Sequence, residues 1–93
     1  MYELIFNPGT DEAERVSFAV SEADLDDCTD MGRAERTDPL DKQMRQCAYH
    51  MVLELRVCAD AERISSEPWI LVYRGKIIAR NHLAASITED DLK

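Results

Sequence analysis

After Pro39 the chain meets no glycine or proline until Pro68. An uninterrupted run of this length favours one long helix, around which the shorter flanking segments must arrange themselves. Thr37-Asp38-Pro39-Leu40-Asp41 supplies its start. Asp38 suits the cap, Pro39 stands where a missing N–H is harmless, and Asp41 puts negative charge at the positive end of the dipole. The expected helix spans Asp38 to Arg63, about 26 residues and roughly 39 Å. Leu40, Met44, Cys47, Ala48, Met51, Leu55 and Cys58 then fall in one apolar stripe, the expected core face.

Leu53, Val57 and Ile64 form a second apolar patch on that helix, about 120–140° from the first. Such a patch calls for cover by another element or by a second copy of the chain, which leaves open a homodimeric structural subunit joined through these residues. Between the two stripes run Arg45, Arg56 and Arg63, with Lys42 and Tyr49 beside them. A basic row of this kind reads most simply as a solvated face.

Ahead of the helix, Tyr2, Leu4 and Phe6 alternate with Glu3 and Ile5, and Val16, Phe18 and Val20 alternate with Arg15, Ser17 and Ala19. Both patterns predict strands with one apolar face, joined by the turn residues Asn7-Pro8-Gly9-Thr10 and the charged Asp11-Glu12-Ala13-Glu14. Ser21-Glu22-Ala23-Asp24 is a capping-box pattern, with Val20 and Leu25 placed as a hydrophobic staple. A short helix is expected from Glu22 to Met31, ended by Gly32 in a left-handed cap. Leu25, Cys28 and Met31 give it a narrow apolar stripe. Five of its first nine positions (Glu22, Asp24, Asp26, Asp27 and Asp30) are carboxylates, with no cation among them.

Beyond the long helix, Ser65-Ser66-Glu67-Pro68 is a break. Trp69–Tyr73 and Lys76–Arg80 flank Arg74-Gly75, the expected two-residue turn of a second hairpin. Ile70, Val72, Ile77 and Ala79 share one face, expected to point at the helix. Trp69, Leu71, Tyr73, Lys76, Ile78 and Arg80 take the other. Thr88-Glu89-Asp90-Asp91 reads as a helix start or a frayed acidic end. The expected architecture is a single acidic α+β domain over residues 1–93 in the order ββααββ: two antiparallel β-hairpins forming a sheet packed on one long central helix, plus the short acidic helix.

Ninety-three residues with 45% apolar and 32% charged content suit one folded domain. Met1-Tyr2-Glu3-Leu4 does not resemble the start of a signal peptide, and no run approaches a membrane span. Three cysteines, an odd number, read as reduced thiols and a cytoplasmic setting. The net charge of −8 is uneven. Residues 1–41 hold twelve acidic and three basic side chains, a net of −9, whereas residues 42–93 are close to neutral. Such a field repels nucleic acid and attracts basic protein surfaces, although solubility alone can also account for it.

Asp24, Asp26, Asp30 and Glu35 match four positions of a calcium-loop frame, but Cys28 and Thr29 break it where an oxygen ligand and a glycine are needed. Cys47 and His50, even joined by Cys28 and His82, lack a zinc-type spacing. As a nucleophile and base the same Cys47–His50 pair lacks an orienting group, and Glu54 offers His50 a simpler surface partner. No phosphate loop or nucleophile elbow is present. The sequence therefore implies no cofactor, no metal and no enzyme. Trp69, Tyr73, Lys76 and Arg80 on one hairpin face form an alternative, a nucleic-acid-binding or regulatory platform.

The favoured expectation is a protein-binding inhibitor that uses Asp11, Glu12, Glu14, Glu22, Asp24, Asp26, Asp27 and Asp30 as an acidic surface. Carboxylates on a helix and loop approximate a phosphate array, so the expected partner is a basic, nucleic-acid-binding protein or complex rather than nucleic acid itself. In size and charge, though in no motif, the chain resembles the small acidic inhibitors of phages and mobile elements, anti-CRISPR and anti-restriction proteins among them.

Overall fold

The computed structural model describes residues 1–92. Strands β1 (Tyr2–Phe6), β2 (Glu14–Phe18), β3 (Trp69–Tyr73) and β4 (Lys76–Arg80) form one antiparallel sheet in the order β2-β1-β3-β4. The two hairpins thus join through their first strands, with Leu4 opposite Leu71. Between them in sequence lie helices α1 (Glu22–Asp30), α2 (Leu40–Leu53) and α3 (Ala61–Ser66). The α+β class and both hairpins agree with expectation. The order differs, because the long helix of the sequence reading is two helices.

Pairing with β1 decides which way β3 faces. Tyr2, Leu4 and Phe6 point to the side where Ala48 and Val52 of α2 pack, together with Trp69 and Leu71. Ile5 points to the other side with Ile70, Val72 and Ile77, and there Ala84, Ile87 and Leu92 cover them. The tail does this through 3-10 turns at His82–Ala84 and Glu89–Leu92. The expected orientation of the second hairpin is therefore reversed. A continuous apolar run such as Trp69–Tyr73, buried on both sides, has no alternation from which to read a face. β4 also carries a bulge: Leu71 pairs with Ala79 but Val72 with Ile77, so Ile78 is extra, and both Ile78 and Ala79 pack toward α2. Arg74 and Gly75 make the tight turn with φ of +52° and +76°.

The start of α1 forms as its sequence dictates. Asp24 N–H donates to Ser21 Oγ at 3.1 Å, and Ser21 N–H donates to Asp24 Oδ2 at 3.0 Å. Val20 and Leu25 both pack around Cys28, Cys47 and Met51, and Gly32 ends the helix at φ +74°. Met31 stays exposed, so the stripe that docks is Leu25 and Cys28.

Two ends of the expected Asp38–Arg63 helix are corrected. Pro39, not Asp38, occupies the cap position, and no side chain caps α2. Asp38 instead pairs with Lys42, and Leu40 lies 61% exposed outside the core. At the other end α2 stops at Leu53. Leu55 turns left-handed at φ +62°, and the Arg56 amide reaches back to the Met51 carbonyl. This reversal lets Val57 pack against both the sheet-side cluster and the cysteine cluster. Asp60 then caps α3 by accepting from the Arg63 amide at 3.1 Å. The buried face of α2 is accordingly Cys47, Ala48, Met51 and Val52, with Met44 partly buried.

Val57 and Ile64 consequently pack within the chain, and Leu53 alone of the second patch is left exposed, at 42%. The surface invoked for a homodimer is not one face of one helix. Among the described residues no helix is long and apolar enough to cross a membrane.

Candidate functional site

The basic row expected along a straight helix does not form, because Arg56 and Arg63 lie beyond the end of α2. Each arginine goes to a carboxylate instead. Arg56 Nη2 donates to Asp24 Oδ1 at 2.6 Å, Arg63 pairs with Glu14 at 3.1 Å, and Arg45 approaches Asp41 at 3.7 Å. Arg36 pairs with Asp30, and Arg33 takes Glu54 at 3.3 Å, so Glu54 does not serve His50 as the sequence suggested. His50 meets the ring of Tyr49 edge-on.

These pairs sort the eight acidic candidates. Glu14, Asp24 and Asp30 are paired with arginines of the chain. Asp24 is also structural: the Ser21 amide, and then the Ser21 hydroxyl and Arg56, hold its carboxyl below the ordinary value despite partial burial. Asp11, Glu12, Glu22, Asp26 and Asp27 are exposed and make no ion pair among the described residues. They occupy two places. Glu22, Asp26 and Asp27 ride on α1, which docks on α2. Asp11 borders a cleft of about 500 Å³ beside Asp90, Asp91 and Leu92 of the tail, with Glu12 next to it in sequence. The tail carboxylates were visible in the sequence only as an acidic end, and nothing local placed them beside Asp11.

Asp24 of the calcium frame faces Ser21 and Arg56, and among the described residues no group of three His, Cys, Asp or Glu side chains is arranged to hold a metal ion. Burial of Cys47, and after it the neighbouring Cys28, pushes its thiol up to about 12. While α1 stays docked, a thiol so strongly protonated is a poor nucleophile.

The aromatic–basic platform does not assemble either. Trp69 is 1% exposed, under α3, and donates Nε1–H to the Ile64 carbonyl at 2.9 Å. Tyr73 stacks on Tyr2 at 4.6 Å between ring centroids, and Arg80 Nη1 donates to the carbonyls of Ala84, Ala85 and Ile87. A groove of about 490 Å³ does run between α2 and β4, lined by Lys42, Arg45, Gln46, Tyr49, Ile78, Ala79 and Arg80. Its cations are engaged: Lys42 with Asp38, Arg45 with Asp41 and Arg80 with the tail.

No protein-family model, no curated protein and no solved structure matches this chain.

Proposed function

We propose that the chain is a non-enzymatic binding module that presents the outer face of α1 to a basic, nucleic-acid-binding surface of a partner protein or complex, and so competes with nucleic acid there. The observation that carries this reading is the sorting of charges. Arginines of the same chain pair with Asp24 and Asp30, while Glu22, Asp26 and Asp27 project from the same helix without a partner among the described residues. The capping box and the buried Cys28 hold that helix in place. A helix already held in place loses little backbone freedom on binding, and the field of its carboxylates speeds encounter with a basic surface. Asp11 and Glu12 form a separate acidic place at the β1–β2 turn, beside the tail. A function of this type matches the small acidic inhibitors of phages and mobile elements.

The test is affinity capture from nuclease-treated cell lysate at low and moderate salt, with bound proteins identified by mass spectrometry. The expected result is a nucleic-acid-handling protein that salt or added DNA releases. A Glu22→Lys, Asp26→Lys, Asp27→Lys variant keeps the capping box and the Arg56 pair. It is expected to fold and to bind on the order of a hundredfold more weakly. Undiminished binding by that variant overturns the reading.

A further inference from the structure

Cys28 and Cys47 lie 19 positions apart in sequence and meet where α1 docks on α2. Both are fully buried free thiols, with their sulfurs 2.6 Å apart. Cys28 is the one fully buried residue of α1, and Cys47 also reaches toward the Asp24 carbonyl at 3.4 Å. The sulfur pair thus lies at the centre of the contact that seats the acidic helix, with Leu25 and Met51 packed around it. Cys58 stands apart on the α2–α3 connection, packed against the sheet-side cluster, so it does not compete for either.

We propose that Cys28 and Cys47 are a dithiol–disulfide couple whose oxidation fastens α1 covalently to α2. The fold already sets the two sulfurs against each other on ordered helices, the placement that a disulfide of roughly 2.05 Å needs. The oxidant is a small-molecule disulfide. One cysteine loses its proton and attacks that disulfide, forming a mixed disulfide and expelling one small thiol. The second cysteine then loses its proton, attacks the protein-bound sulfur and expels the other small thiol. Two cysteines give up two electrons, and one small disulfide becomes two thiols. Burial of both sulfurs routes the first step through excursions in which α1 lifts from α2, and the product removes those excursions.

The consequence for partner binding rests on the function proposed above. The covalent chemistry does not, so a failed capture and a failed cross-link are separate results. The experiment incubates the full chain with oxidised glutathione in sub-denaturing urea, where opening of α1 is not limiting. Intact-mass analysis is expected to show loss of two hydrogens, peptide mapping to join Cys28 to Cys47, and dithiothreitol to reverse both. Cys58→Ser should behave like the parent, and Cys28→Ser should form no internal link. The oxidised form should melt roughly ten degrees higher than the reduced one. Persistence of free Cys28 and Cys47, glutathione addition without an internal bond, or a lower melting point after oxidation would each overturn the proposal.

Discussion

Leu55 holds at the end of α2 the left-handed turn that Gly32 holds at the end of α1. Their φ angles are +62° and +74°, and in each case the following amide reaches back five residues, Arg56 to Met51 and Arg33 to Cys28. The two positions differ in what a side chain does there. A Cβ on Gly32 would meet nothing within 4 Å, so Gly32→Ala adds only the backbone penalty of a left-handed alanine, a loss of about 1 kcal/mol. Leu55→Gly relieves that same penalty while giving up a half-buried side chain, so its net effect should be smaller. Urea unfolding of both variants checks this, and a Gly32→Ala protein as stable as the parent contradicts it.

The same pair shows how far the sequence could be read. Gly32 announced the end of α1, as Ser21 and Asp24 announced its start, because local chemistry alone fixes those features. Leu55 carries no such mark. α2 ends there because Val57 and Ile64 find cover further on, a tertiary demand that outweighs helix propensity. The facing of β3 was illegible for a related reason, since a run apolar on both sides takes its orientation from β1. In the candidate site the carboxylates were legible and their partners were not: Asp24 meets Arg56 from 32 positions away. Sequence showed the charge, and only the fold shows which of it is left over.

The buried indole supplies a second test. Trp69 donates to the Ile64 carbonyl and so ties α3 to the sheet. Trp69→Phe keeps most of the packing but strands that carbonyl, an expected loss of about 1–3 kcal/mol. Trp69→Ala also opens a cavity and should lose about 3–5 kcal/mol, a large share of a typical total of about 5–15 kcal/mol. As the sole tryptophan it reports on itself. Its fluorescence should be blue-shifted and shielded from iodide, and free quenching would contradict its placement.

Arg80 fastens the tail over the second face of the sheet through three carbonyls. Arg80→Met keeps the apolar stem and removes the donors. The expected loss is about 1–2 kcal/mol, with faster amide exchange and protease cleavage confined to residues 82–92. A variant that loses protection throughout the sheet instead would show that Ile5, Ile70 and Val72 depend on Arg80 far more than these contacts provide.

Asp24 separates the structural carboxylates from the exposed ones. Its folded-state pKa lies below the ordinary 3.8, chiefly because the Ser21 amide donates to it, with the Ser21 hydroxyl and Arg56 adding to the effect. A depressed carboxyl contributes stability that is fully present above the unfolded value and is lost as pH falls through it toward the lower folded value. The acid limb of stability should therefore steepen below about pH 4. Asp24→Asn should flatten that limb and lose about 1–2 kcal/mol at neutral pH, where the capping contact and the Arg56 pair are both intact in the parent. Asp26→Asn, on the same helix but facing water, should leave the neutral stability as it is. Denaturant unfolding of the three proteins from pH 7 to pH 3 decides the matter. If the Asp26 and Asp24 variants shift alike, the carboxylates of α1 act as one diffuse cloud of charge, and the division into internal braces and free contacts on which the proposed function rests does not hold.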